Sequence, residues 1–194
     1  MLRNNNRSDS PRRSDSGQYT FTLRCGLPAL EMPLIWKLEA EGLRLDPNAP
    51  LLLLFDVPCG FAFRQLALRE VRQARVVVVT HNPCPDYWED LWDLQPAGLL
   101  AAEQLEAGLK EVLDQVARGG RYRRMPPTRS SLTLAERALL HRVACGWNNH
   151  RIARDLHVED KTVRNTLTRV YGKVGVSNRV QAALYYWGRV ELCR

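Results

Sequence analysis

The chain has no CxxC pair: its five cysteines (25, 59, 84, 145 and 193) are scattered. That spacing offers neither a zinc site nor a disulfide framework, and it suits a reducing cytoplasm in which most of them are buried as small hydrophobes. No apolar run approaches the ~20 residues that span a bilayer, and the N-terminus lacks the apolar core of a secretion signal, so neither membrane insertion nor export is expected. Apolar side chains are almost missing from residues 1–18, MLRNNNRSDSPRRSDSGQ. Such a stretch buries too little surface to offset its ordering entropy, and a disordered basic tail is expected there.

What is present is divided by charge. Of the formal net charge of +7, residues 19–119 carry −5 and residues 120–194 carry +10. An acidic body with a basic C-terminal module is the electrostatic footprint of a chain that meets phosphate backbone. The 194 residues suit two small domains.

Residues 132–187 hold four short amphipathic segments in succession. Asn148-Asn149 supplies an N-cap, Ile152, Ala153 and Leu156 make an apolar stripe, His157-Val158 a tight turn, and Glu159-Asp160 the cap of the next helix. From Lys161 to Val174 the apolar Val163, Leu167, Val170, Tyr171 and Val174 fall on one helical face. Lys161, Asn165, Thr168, Arg169 and Gly172 lie opposite, with Arg164 on the flank, which presents cationic, amide and hydroxyl groups where a major groove would lie.

This segment resembles the LuxR-type helix-turn-helix of the NarL/FixJ transcription regulators. The pattern is matched at Leu132, Thr133, Glu136, Leu140, Gly146, Asn149, Ile152, Ala153, Leu156, Lys161, Thr162 and Val163, and again at Lys173, Gly175, Val176, Asn178, Arg179 and Ala182. KVGVSNRVQA after the reader helix separates it from sigma-factor region 4, which shares only the first part. The resemblance implies base reading by Arg164, Asn165 and Thr168 and backbone contacts by Lys161, Thr162, Arg169 and Lys173. It also implies pairing of subunits through helix 178–189, with Ala182, Tyr185 and Arg189 outward and Val180, Ala183, Leu184 and Trp187 buried.

Residues 19–119 alternate strand and helix. Strands are expected at Tyr19–Arg24, Leu51–Asp56, Arg75–Thr80 and Gly98–Ala101, with helices at Ala29–Leu38, Phe61–Arg72 and through DYWEDLWDL at 86–94. A last helix carries Leu105, Leu109, Val112, Leu113 and Val116 on one face and ends at Gly119-Gly120. Continuous apolar strands among amphipathic helices imply a parallel sheet covered on both faces.

That order resembles a receiver domain. Asp56 stands at the phosphoacceptor position and Thr80 at the hydroxyl position, but Cys25 and Gly26 replace the magnesium-binding carboxylates and Ala102 stands where a lysine belongs. Phosphoryl transfer to a carboxylate needs the missing cations, so Asp56 is expected to be vestigial, a strand-end carboxylate or a helix cap. Only EAEGLRLDPNAP separates the first helix from Leu51, too short for a full second strand and helix. By the resemblance, the edge built from the Trp-rich helix and the strand and helix after it would serve dimerisation. The sheer number of large apolar groups in that helix also implies that some of them meet a partner.

The linker GGRYRRMPPTRSS carries Arg121, Arg123, Arg124 and Arg129. Some relatives with degenerate receivers bind cyclic di-GMP through W-[FLM]-[ST]-R near this point. Tyr122-Arg-Arg-Met125 does not match it, which leaves a nucleotide second messenger as a lesser alternative.

The expected fold class is therefore α/β plus all-α. A truncated flavodoxin-like receiver domain (19–119) follows the tail (1–18), and a basic linker (120–131) leads to a four-helix LuxR-type helix-turn-helix domain (132–194). The expected function is sequence-specific DNA-binding transcription regulation without phosphorylation, by a cytoplasmic homodimer that is not an enzyme. No cofactor or metal is expected, and no membrane partner. Partners are double-stranded DNA, a second copy, and RNA polymerase or another regulator. The alternatives are a conventional phosphorylated response regulator and a protein-binding adaptor that sequesters another regulator.

Overall fold

Strands made of consecutive apolar residues can only be buried on both faces, and LLLLF at Leu51–Phe55 (β3) and RVVVVT at Arg75–Thr80 (β4) form the centre of a parallel sheet. The computed structural model describes residues 19–68, 71 and 74–189, so the tail expected at 1–18, and Cys193, lie outside the described residues. Around the central pair stand β1 (Thr20–Cys25), β2 (Arg44–Leu45), β5 (Gly98–Ala101) and β6 (Tyr122–Arg124), in the order β2-β1-β3-β4-β5-β6 and all parallel. Helices α1 (Glu31–Ala40), α2 (Phe61–Leu66), α3 (Pro85–Asp93) and α4 (Leu105–Ala117) fall in the connections. The first five strands in this order follow the flavodoxin-like plan.

The shortening expected after α1 is visible. β2 survives as two residues, and no helix follows it: Asp46–Pro50 runs directly to β3, with the Asn48 amide bonded to the Asp46 carboxylate at 2.9 Å. A segment with two prolines in five residues and an Asx turn has no way to continue as a helix.

One segment departs from the linker reading. Tyr122–Arg124 is a sixth strand, in register with Gly98–Leu100 of β5. The Tyr122 hydroxyl donates to Glu111 at 2.6 Å, Arg124 pairs with the same carboxylate at 2.5 Å, and Arg121 donates to the Pro96 carbonyl. Three residues with two arginines give no alternation to read. The strand exists because β5 offers a free edge and α4 offers Glu111.

Two compact units result: of the described residues, 19–81 with 94–126, and 82–93 with 127–189. The first encloses an apolar core of Phe21, Leu51, Leu53, Phe55, Val77, Val79, Leu100, Val112 and Val116. The second contains α5 (Leu134–Ala144), α6 (Asn149–Leu156), α7 (Asp160–Val174) and α8 (Arg179–Tyr186), together with α3. These units divide the chain differently from boundaries at 119 and 132, because the Trp-rich helix α3 packs with the C-terminal helices.

The partner implied for α3 is thus found within its own unit. Tyr87, Trp88 and Leu91 are buried, and Tyr87 makes edge-to-face contacts with Tyr186 and Trp187 at centroid distances of 5.4 and 5.9 Å. The apolar side of α3 is occupied within its own unit. Its polar edge is equally engaged: Asp86 accepts from Ser130 and, at 2.7 Å, from Tyr185, while Asp90 accepts from Tyr186 at 2.7 Å and from Arg137 at 3.0 Å. Burial pushes the Asp90 carboxyl up from its ordinary range, opposed by those two donors.

Candidate nucleic-acid interface

A helix that reads a groove must be anchored on one side and bare on the other. α7 meets both conditions. Val163, Leu167, Val170 and Val174 are buried, whereas Lys161, Thr162, Arg164, Asn165, Thr168 and Arg169 are exposed. The residues singled out from the sequence for base reading, Arg164, Asn165 and Thr168, therefore share the open side with the positioning group Lys161, Thr162 and Arg169. Thr168 donates its hydroxyl to the Arg164 carbonyl at 3.2 Å, which leaves its methyl and an oxygen lone pair for an outside contact.

The helix-turn-helix is set by its caps. Thr133 and Glu136 form a reciprocal capping box at the start of α5. Asn148 caps α6 by accepting from the Arg151 amide at 2.8 Å. His157 takes a left-handed conformation (φ 54°) to end α6, and the Val158 amide closes the turn on the Ala153 carbonyl at 2.9 Å. Glu159 then precedes α7 in extended conformation without a side-chain cap.

Lys173 is placed differently from the other cations. Its ammonium lies 2.7 Å from Glu136, inside the capping box of α5. Lys173 and the Thr133 amide hold the Glu136 carboxyl down at about 2. This lysine ties α7 to α5.

The α8 face differs in part from the expected one, with Ala183 and Trp187 partly buried. Ala182 is fully buried and Tyr185 is half-buried, bonded to Asp86, while Val180 and Leu184 are exposed. Arg189 alone of the expected set, Ala182, Tyr185 and Arg189, is exposed. The helix has apolar residues on both sides; its inward side packs on α5, with the Tyr185 and Tyr186 hydroxyls bonded to Asp86 and Asp90 of α3. Nothing in the α8 sequence itself encodes that choice.

Trp147 and Arg151 were not singled out from the sequence. The Arg151 guanidinium stacks 3.9 Å above the Trp147 ring, with His150 and Arg154 exposed on the same helix, α6. The signal was available as an exposed basic pair at i, i+3 on the helix before the reader.

In the first unit, β3 and β4 bring Asp56 and Thr80 together, as a receiver does. Thr80 donates to one Asp56 oxygen at 3.1 Å, and the amide of Ala62, in the first turn of α2, donates to the other at 2.9 Å. Asp56 is 1% exposed. A Cβ on Gly26 would sit 2.6 Å from the Val57 carbonyl and 2.8 Å from the Phe61 ring, so the place of an acidic side chain is filled. Ala102 starts a 3-10 turn at the end of β5 and brings no cation. Among the described residues no group of His, Cys, Asp or Glu is arranged to hold a metal ion.

Residues 130–186 match the family model described as bacterial regulatory proteins, luxR family. Over 58 residues the chain is 41% identical to "Probable HTH-type transcriptional regulator GfsR" of Streptomyces halstedii, which covers 30% of this chain and 24% of that protein. It is 41% identical over 59 residues to "Probable transcriptional regulatory protein NarL" of Mycobacterium tuberculosis, 30% of this chain and 27% of that one. It is 33% identical over 67 residues to the CsgBAC operon transcriptional regulatory protein of Escherichia coli, 34% and 31% of the two chains. The matched stretch thus spans 24–31% of these relatives. A structure of the two-component response regulator RcsB in complex with DNA superposes with a TM-score of 0.54 at 17% identity, covering 89% of this chain and all of that one. RcsB of Salmonella enterica serovar Typhimurium bound to the rprA promoter, with phosphomimetic BeF3−, gives 0.54 at 17% identity over 86% and 98%. At that identity the likeness is one of fold: a receiver-type parallel sheet followed by a helical domain.

Proposed function

We propose that this chain, whose residues 130–186 are a LuxR-family helix-turn-helix domain, is a sequence-specific, DNA-binding transcription regulator that works as a homodimer without phosphorylation. The observation that carries the proposal is α7, with four valines and leucines buried on one side and Arg164, Asn165, Thr168 and their basic neighbours bare on the other. Arg164 suits guanine O6 and N7, Asn165 suits adenine, and Thr168 offers a methyl to thymine. Lys161, Thr162 and Arg169 hold the phosphate backbone around them.

Independence from phosphorylation is supported by the site at Asp56, where both carboxylate oxygens accept hydrogen bonds and, among the described residues, no group of His, Cys, Asp or Glu is arranged to hold a metal ion for an acyl phosphate. The receiver-like sheet then serves dimerisation or reception of a signal other than phosphate. No helix among the described residues is long and apolar enough to cross a membrane.

The test is selection of bound sequences from a random duplex pool by the full chain, followed by titration of the selected site against salt. The expected outcome is one enriched half-site and a log-log slope of roughly 0.9 per neutralised phosphate. A pool that stays random, with a flat salt response, overturns the proposal.

A further inference from the structure

A guanidinium already laid flat on an indole gives up little further freedom when it meets an anion, because its planar fork is held in advance. Arg151 of α6 is in that state, with its guanidinium carbon 3.9 Å from the centre of the Trp147 ring. Trp147 is itself half-buried, so the platform is anchored to the helix bundle. Together they line a hollow of about 610 Å³ bounded by Trp147, Asn148, His150, Arg151, Arg154 and Asp155. Its one carboxylate is spoken for, since Asp155 pairs with Arg142 of α5 at 2.6 Å. Arg151 and Arg154 are both exposed, and among the described residues neither is paired with a carboxylate. The hollow therefore keeps two uncompensated positive charges. The helix end beside it is closed, because Asn148 accepts from the Arg151 amide at 2.8 Å, so an anion there is met by side chains.

Placement says which anion. His150 lies 3.5 Å from Asp160 in the first turn of α7, so α6 and α7 begin side by side, and the exposed Lys161 and Thr162 follow Asp160 directly. Asn149, the first residue of α6, accepts from Arg179 at the start of α8 at 3.1 Å, which fixes this end of α6 from a second direction. A positive hollow next to the start of a reader helix faces the polymer that the helix faces, and the nearest anion on that polymer is a backbone phosphate.

We propose that Arg151 and Arg154 hold a DNA backbone phosphate in this hollow, and that Trp147 is the positioning residue that keeps the Arg151 fork aimed at it. A guanidinium offers a phosphate two parallel hydrogen bonds, and a ring beneath it restricts the fork to one plane. The proposal rests on the regulator reading above and adds to it a contact from α6, outside the reader helix.

Equilibrium binding of the full chain tests this on two duplexes, the selected site and a random sequence of equal length, over a range of salt. Arg151→Gln is expected to reduce the log-log salt slope by about 0.9 and to weaken both duplexes alike, by roughly eightfold at about 0.1 M salt. Arg154→Gln should do the same. Trp147→Ala should move the slope in the same direction by less, Trp147→Phe should restore it, and Lys110→Gln, exposed on α4 of the first unit, should leave it at the parent value. Melting curves separate aiming from folding: a Trp147→Ala protein that loses stability with an unchanged slope assigns the ring to the fold and overturns the positioning role. Parent slopes in both arginine variants overturn the clamp, and so does a loss confined to the selected duplex, which makes Arg151 a base reader. A parent that binds neither duplex removes the regulator reading and the clamp together, whereas normal parent binding with silent variants removes the clamp alone.

Discussion

The Arg137 guanidinium bridges two carboxylates one helical turn apart, with Nε 3.0 Å from Asp90 and its far nitrogen 2.5 Å from Asp93. Arg137 and Asp90 are each only 11% exposed, so removing one partner strands a charge that water barely reaches. Arg137→Ala is expected to lower the stability of the second unit by about 2 kcal/mol, below the full value of a buried pair because Asp93 is half in solvent. Urea denaturation reads it. The double change Arg137→Met with Asp90→Leu should lose less than the sum of the two single losses, and strict additivity would show that the pair is not coupled.

Base reading and positioning separate by sequence dependence. Arg164→Ala or Asn165→Ala is expected to reduce binding to the preferred site by about 1–3 kcal/mol and to relax base preference there. Lys161→Ala should weaken every duplex alike. Lys173→Ala behaves differently again, acting first on the stability of the α5 capping box through Glu136. Competition against random DNA, with melting curves on the same proteins, distinguishes the three; a Lys173→Ala protein of unchanged stability would refute its assignment.

Asp56 should be silent. Asp56→Asn is expected to keep DNA affinity within about twofold, a free-energy change of about 0.4 kcal/mol, and beryllofluoride should leave the affinity of the parent unchanged. Fluorescence anisotropy on the selected operator measures both. Tighter binding on beryllofluoride addition, abolished in the variant, would restore the conventional mechanism.

His141 sets a pH dependence. Burial lowers its basicity below the ordinary 6.5, and it stacks on Tyr186 at 5.4 Å with Asp90 pulling the other way and Arg142 adding to the depression. A folded-state value below the unfolded one means that the unfolded chain takes the proton first. Stability is therefore full above about 6.5 and declines as pH falls through that value toward the folded one. His141→Phe, which keeps the ring stack, should flatten the fall in urea midpoint between pH 7.5 and 5.5; an equal fall in both proteins would remove His141 as its source.

Gly172 lies on the open side of α7, and a Cβ there meets nothing within 4 Å. Gly172→Ala should stabilise the second unit by about 1 kcal/mol. If the glycine admits a phosphate, the same change weakens DNA binding, and a gain in stability without any loss of affinity would exclude close approach.

Much of this was legible because it was periodic. RVVVVT, LLLLF and the valine–leucine stripe of α7 state their burial in their own spacing, and Thr133 with Glu136 states its capping box. What was not legible depends on distant partners. Ala182 and Tyr185 turn inward where α8 packs on α5 and Asp86 of α3 takes the Tyr185 hydroxyl, and Lys173 is drawn to Glu136, 37 residues away in sequence. β6 exists only because β5 presents an edge in register with Tyr122. Local periodicity carries no information about which of two apolar faces a neighbour will choose.

The two margins of the sheet share a design. β2 is two residues long and runs into Asp-Pro-Asn-Ala-Pro, while β6 is three residues long, carries two arginines and runs into Met-Pro-Pro. Short, proline-terminated or charged edges give an incoming strand almost no ladder to extend. Copies of this chain are thereby barred from polymerising sheet to sheet, and a six-stranded parallel sheet, a topology prone to runaway association while it folds, ends in two strands too small to seed a fibril.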